Sequence, residues 1–521
     1  MLIMKLNKRK SIMLSFTAIL IALVVAISIT YALWSQSHEQ TNANLVESGC
    51  FNVVFEELNS AINLANIYPI TDVDGLNSEP YIFKLKNTCS ITAEYMVKLE
   101  ITNNSTLSLD KVKVALDDEV SILSSNEMGT STLKKAGVTI SDTYIIYTGI
   151  LLVGEEIAHE LREWIDYSAT TMEASNKVLN SYLTIEAVAT DKVPIKHLNK
   201  AILAQFGGAV SIVEAPVGTF ASVSSASDAL MYKMEDDYGI SYYYRGAKDL
   251  LKNNLIFAEH QWKIIRINGN DSVRIIYNGT CPNNECTINS TGTSTQIKTA
   301  AFNTNNNDAK YVGYMYGGPN GTTSTSRAQA VTNETSSNVK TELESWYTTY
   351  IEIKGYSSYI SDTLFCNDRR LQSEVGGSAT GPGYGNVRTN YASYYRLNAN
   401  KIPTLMCGDK NDMFTVNETE KENGVLTYPV GLISADEISL AGGAWGDENT
   451  SYYLCTNQYF LSLSPSGFYS SSAYVWAVNE RGVFNLNSVL VSPGGVRSVL
   501  NLKFGVRVTG TGSATDPFVV I

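Results

Sequence analysis

The residues with the most distinctive chemistry in this 521-residue chain are four histidines and seven cysteines. His38, His159, His197 and His260 are few and widely spaced, which leaves little for histidine-based catalysis or a zinc site. The nearest approach to a metal motif is His159-Glu-Leu-Arg-Glu163. It begins like the zinc-protease HExxH, but glutamate stands where the second imidazole must be, so the segment reads as ordinary structure. No catalytic or cofactor-binding set emerges.

The cysteines (50, 89, 281, 286, 366, 407 and 455) contain no CxxC pair, and their odd number allows at most three disulfides. Cys281 and Cys286 flank Pro-Asn-Asn-Glu and would close a tight surface loop. Cys366 (Phe-Cys-Asn-Asp-Arg-Arg) and Cys407 (Leu-Met-Cys-Gly-Asp) suit a staple across a long loop. Such a staple stabilises the fold by about 3–4 kcal/mol in the chain-entropy description. Cys50 pairs plausibly with Cys89, and Cys455, in Tyr-Tyr-Leu-Cys, reads as a buried thiol.

Two segments, 303–308 (Asn-Thr-Asn-Asn-Asn-Asp) and 409–412 (Asp-Lys-Asn-Asp), offer the oxygen ligands that calcium takes, without EF-hand spacing. Calcium is the one cofactor considered; the plainer reading of both is a solvated polar loop. Recognition without chemistry is better supplied. Of 31 tyrosines, many cluster with Trp, Ser, Asn and Gly beyond residue 310: Tyr311, Tyr314, Tyr316, Tyr384, Tyr391, Tyr394, Tyr395, Tyr452, Tyr453, Tyr469 and Tyr474. Such residues make large contacts at low entropic cost. Trp445, Tyr469, Tyr452 and Tyr453 are the candidate ligand-binding residues, whereas Trp262, Trp346 and Trp476 belong in the core.

The N-terminus carries Lys5, Lys8, Arg9 and Lys10, then an uncharged apolar run over 12–34; the first acidic residue is Glu39. This is an export pattern, with the basic residues retained on the cytoplasmic side. The run is long enough for a membrane helix and ends in Ile-Thr-Tyr-Ala, so a cleaved signal peptide and a retained anchor both stand. Either places the rest of the chain outside the cell, at the surface or secreted, where thiols oxidise. The net charge of −12 would become −16 without residues 1–32, since four cations and no anions are lost. That balance argues against nucleic acid as a partner. A hydrophobic share of 44% argues against a disordered chain.

The elements that must position these groups are mostly β with some α. After a stalk at 35–49, residues 50–192 contain seven runs of strand character, at 51–56, 81–86, 94–102, 111–116, 144–153, 157–165 and 179–189. This spacing predicts a β-sandwich. Tyr95, Val97, Leu99 and Ile101 alternate onto one face, leaving Lys98 and Glu100 for water. Residues 193–230, with Pro194, Gly207, Gly208 and Pro216, read as a linker. The second domain, 231–521, should hold a hairpin around Asn268-Gly-Asn-Asp271. It should also hold a helix over 339–350 and a second helix from the capping box Ser434-Ala-Asp-Glu437 to Gly442.

Two resemblances attach to these regions. The apolar run ending Ile-Thr-Tyr-Ala-Leu-Trp34 and the following Cys50-Phe-Asn-Val-Val-Phe55 resemble TasA/camelysin-type exported proteins of Gram-positive bacteria. The likeness covers about 12–190 and implies a long signal segment followed by a single jelly-roll-like sandwich; some such proteins assemble into matrix fibres, for which 35–49 would be a strand lent to a neighbour, though the stalk is the preferred reading. The Cys50 and Cys89 pair is not general in that family, and no metal-ligand motif here carries over the metalloprotease label of camelysins. Over the last 270 or so residues the order of Trp262-Lys-Ile-Ile-Arg266, Val430-Gly-Leu-Ile-Ser-Ala-Asp-Glu-Ile438, Tyr459-Phe-Leu-Ser-Leu-Ser-Pro465, Val475-Trp-Ala-Val-Asn-Glu-Arg-Gly482 and Gly495-Val-Arg-Ser498 resembles C-type-lectin-like domains of the formylglycine-generating-enzyme type. Ser498 replaces the usual proline. This likeness makes Cys366 and Cys407 the candidates for a copper-binding pair, against the disulfide reading preferred above. The expectation is a non-catalytic surface protein that binds a glycan or protein. A matrix-fibre subunit and, less so, an enzyme are the alternatives.

Overall fold

The computed structural model describes residues 68–521, apart from 89, 193, 289–290 and 492–493, together with three upstream strands, Gln36–Glu39, Val53–Glu57 and Leu64–Ala65. The apolar run at 12–34, Cys50 and Cys89 lie outside the described residues. Among the described residues no helix is long and apolar enough to cross a membrane. Strand makes up 36% and helix 19%, a mostly β protein. The chain divides into two compact units, Met1–Pro194 and Ile195–Ile521.

The first unit is a sandwich. One sheet runs, in spatial order, Gln36–Glu39, Ser181–Ala189, Ala93–Thr102, Ile140–Leu151 and Glu127–Met128. The other runs Val53–Glu57, Tyr81–Asn87, Glu156–Ile165, Val112–Leu116 and Glu119–Ile122. All pairings within both are antiparallel. The seven expected strands are present. Tyr95, Val97, Leu99 and Ile101 of one sheet share a core with Phe83 and Leu85 of the other, as the period of two requires. The strand Glu119–Ile122 was not anticipated; it follows a tight turn at Asp117 and Asp118, both at positive φ (51° and 71°).

Several expectations are corrected here. Four residues assigned to the stalk, Gln36–Glu39, pair along Thr184–Ala187 as an edge strand. Lys98 and Glu100 do not face water: both are buried, because the segment after Met128 crosses their side of the sheet. Lys98 pairs with Glu186 and donates to the Thr130 carbonyl (3.1 Å). Burial pushes the Glu100 carboxyl up, but donors from Ser131, Thr132 and Thr184 outweigh it and hold the group below the usual range.

The His159 segment lies on a strand, not a helix. Its imidazole bridges the sheets: Nδ1 is 2.7 Å from the Asp117 carboxylate and Nε2 is 2.7 Å from the Tyr95 hydroxyl. Burial raises the Tyr95 pKa, so its hydroxyl keeps its proton. Glu163, four residues along the same strand, shares the face of Leu161 and Ile165. It is 8% exposed, and desolvation lifts its carboxyl to about 7.

The second unit starts earlier than the sequence indicates. Residues 195–230 are not a linker: Lys196–His197 pairs with Arg507–Thr509, and the helix Leu198–Ala204 inserts Leu198, Ala201 and Ile202 into the core. A nine-stranded sheet includes Ala229–Asp236, Gly239–Gly246, Asn254–Phe257, His260–Ile267 and Val273–Thr280, with Phe518–Val520 parallel to Asn254–Phe257. A six-stranded sheet carries Phe460–Tyr469, Ser472–Val478 and Phe484–Ser488. The hairpin across Asn268–Asp271 forms as expected. The helix Asn338–Tyr347 buries Val339, Leu343, Trp346 and Tyr347, while Tyr350 beyond it is 39% exposed. Helix Ala435–Ala441 has its capping box at Ser434 and Glu437 and is buried throughout.

Cys281–Cys286 and Cys366–Cys407 are disulfides, with Cα atoms 4.9 and 5.7 Å apart; Cys455 is buried and free. In unreduced native protein, peptide mapping after alkylation should leave those four cysteines unlabelled and label Cys455 only after unfolding. A second expectation concerns Glu163. Its folded pKa lies above its ordinary 4.5, so its contribution to stability is full below that value and is lost as pH rises through about 7. The loss amounts to about 3 kcal/mol at full ionisation. Glu163→Gln should therefore raise the denaturation midpoint above pH 7 and leave it nearly unchanged near pH 4.5.

Candidate ligand-recognition face

The hairpin Phe460–Tyr469/Ser472–Val478 is closed by Ser470 and Ser471, both at positive φ (47° and 65°), the backbone of a two-residue turn that matches strand twist. Gly467 lies opposite Tyr474 in the ladder, and Tyr469 lies two residues beyond Gly467, so Tyr469 and Tyr474 emerge on one face. Their ring centroids are 5.6 Å apart. The Tyr469 ring folds back over Gly467, where a Cβ would stand 2.2 Å from it. The absent side chain at 467 is what lets the ring lie against the strand.

Behind these rings Trp476 is fully buried. Its indole N–H donates to Ser393 Oγ (2.8 Å), and Ser393 in turn donates to the Pro465 carbonyl. Phe484 stacks on Trp476 at 4.4 Å and Tyr394 at 6.4 Å, while Trp445 meets it edge-on at 5.1 Å. Tyr394 continues to Tyr469 at 6.1 Å. The half-buried Trp445, Tyr394, Tyr469 and Tyr474 thus form one run of rings over a locked indole. The exposed guanidinium of Arg388 lies 5.9 Å from the Tyr469 ring centroid.

Of the four expected ligand residues, Trp445 and Tyr469 belong to this face. Tyr452 and Tyr453 do not: they are 0% and 1% exposed and pack in the core, so they are withdrawn as ligand contacts. Tyr391, Tyr311, Tyr314 and Tyr316 are likewise interior, and Trp262, Trp346 and Trp476 are core residues as expected. Arg388 was missed. Its place beside Tyr469 follows from Thr389–Asn390 pairing with Gly467 and Phe468, a long-range pairing that no local pattern announces.

A cavity of about 30 Å³ is lined by Arg266, Arg274, Arg396, Asp368, Asp436, Glu437 and Cys366 among others. Its volume suits one or two waters. Each lining charge has an opposite partner. Arg266 pairs with Asp236 and Glu437, Arg274 with Glu437, and Arg396 with Asp368 and Asp436, all within 2.6–2.9 Å. That makes it a structural junction. Cys366 reaches it already joined to Cys407, so neither sulfur is a thiolate in this state.

The calcium candidates are occupied by internal donors. Asp308 accepts from Lys310 N, Ser324 N and Ser324 Oγ, and Asp412 is paired with Arg369. Among the described residues no group of three or more His, Cys, Asp or Glu side chains is placed to hold a metal.

Comparison with protein families, with curated proteins and with solved structures found no match.

Gly467→Ala should displace the Tyr469 ring and lower the melting temperature by the equivalent of about 1 kcal/mol. Adding Tyr469→Ala, which removes the ring, should restore most of that loss; a double-mutant cycle of thermal melts reads the coupling.

Proposed function

We propose that this is an exported cell-surface protein whose second unit recognises a glycan or protein ligand without transforming it. The run of half-exposed rings at Trp445, Tyr394, Tyr469 and Tyr474 carries the reading. Rigid aromatics held by packing beneath them bind flat or C–H-rich surfaces with little entropy left to lose. Two disulfides fit an oxidising compartment. The basic start and apolar run supply the route there. The first unit would serve as a TasA-like spacer, and the second as a lectin-like head.

One observation favours a second role for the first unit. Gln36–Glu39 occupies a sheet edge beside Ser181–Ala189, and a strand so placed can be exchanged between copies to build a fibre. Filaments in electron micrographs of the purified protein would support that role.

The main test is an array of glycans and peptides probed with the full chain. A retained ligand class should lose about thirtyfold in affinity on Tyr469→Ala or Trp445→Ala. Variants that bind like the parent would overturn the assignment of the face.

A further inference from the structure

We infer that the aromatic face is built for an acidic saccharide, with Arg388, over the Tyr469 ring, receiving a ring carboxylate while the neighbouring Tyr394 and Tyr474 contact the sugar body. This rests on the recognition reading above and narrows its ligand.

The chain is acidic, at −12, yet the Arg388 guanidinium on this face forms no ion pair among the described residues. It is exposed, with the Tyr469 ring beside it. A guanidinium offers two parallel N–H donors, the geometry that a carboxylate accepts in bidentate fashion. The neighbouring rings present negative π faces, which attract the slightly positive C–H groups of a pyranose.

The opposite end of the run has the other sign. Asp447 and Glu448, both exposed, follow Trp445, and Glu448 is held by Arg481. With Glu448 paired to Arg481, Asp447 is the one carboxylate of the two without an ion pair among the described residues, so the unpaired cation lies at the Tyr469 end. One cation beside several rings fits a ligand with one carboxylate on a C–H-rich body, as in a uronic acid. An acidic peptide would bring several charges to a surface whose overall balance repels them.

The experiment compares binding of monomeric galacturonate with its methyl ester, within an array that also carries sialylated and neutral glycans and polyglutamate, using the full chain. The expected result is preference for acidic over matched neutral sugars by about tenfold, the scale of one charge-assisted hydrogen bond. Arg388→Gln should bring the ratio of acid to ester affinity to about one, and Arg388→Lys should restore that ratio only in part. Equal binding of acid and ester overturns this inference and leaves the recognition reading standing. Binding of polyglutamate in place of sugars overturns it in favour of a peptide ligand. Absence of binding to every acidic glycan overturns it, and if nothing on the array binds, the recognition reading falls too.

Discussion

The second unit depends on one buried carboxylate. Glu437 accepts from the Ser434 backbone N–H at 2.9 Å, closing the capping box of helix Ala435–Ala441, and its other oxygen takes both Arg266 and Arg274. Helix start and two neighbouring strands are thereby fixed to a single group. Asp236 extends the junction by binding Arg266 and the backbone N–H groups of Tyr238, Gly239 and Gly269, drawing two hairpin turns together. At Gly269 a Cβ would lie 2.4 Å from Gly239 N, so the turns meet backbone to backbone. Arg396 adds Asp368 and Asp436. Ion pairs this deep recover roughly what their desolvation costs, but removing one partner leaves a stranded charge worth about 3–5 kcal/mol. The network therefore specifies an arrangement more than it adds stability.

That arrangement reaches the aromatic face through short connections. The helix anchored by Glu437 ends at Gly442, and three residues later Trp445 meets Trp476. Arg245 fastens the same helix end by donating to the carbonyls of Ser439 and Leu440. On the other side Arg396, two residues past Tyr394, is clamped by Asp368 and Asp436. The rings facing solvent are held by elements that cannot shift without breaking buried charge pairs, which is the preorganisation a recognition surface needs.

Local patterns made much of this legible. Alternating apolar residues located the seven main strands of the first unit, and the Ser434–Glu437 capping box and Gly442 located the two ends of a helix. Those signals are written within a few residues of one another. What escaped was written at long range. Lys98 and Glu100 alternate as a solvent face should, and only the crossing segment after Met128 buries them. Tyr452 and Tyr453 look like neighbouring loop tyrosines until the bridge from Tyr452 to Ala247 draws them inside. The linker assignment failed because Pro194 and the paired glycines outweighed a short apolar period at Leu198, Ala201 and Ile202. Arg388 carries no motif at all.

The parallel pairing of Phe518–Val520 with Asn254–Phe257 has a consequence for biogenesis. Strand 254–257 emerges some 260 residues before its partner, and until 518–520 arrive one of its edges stays open. A pairing of such sequence separation forms slowly, and an unpaired edge is a template for association with other chains. The larger sheet of the second unit is therefore complete only once that last strand is in place.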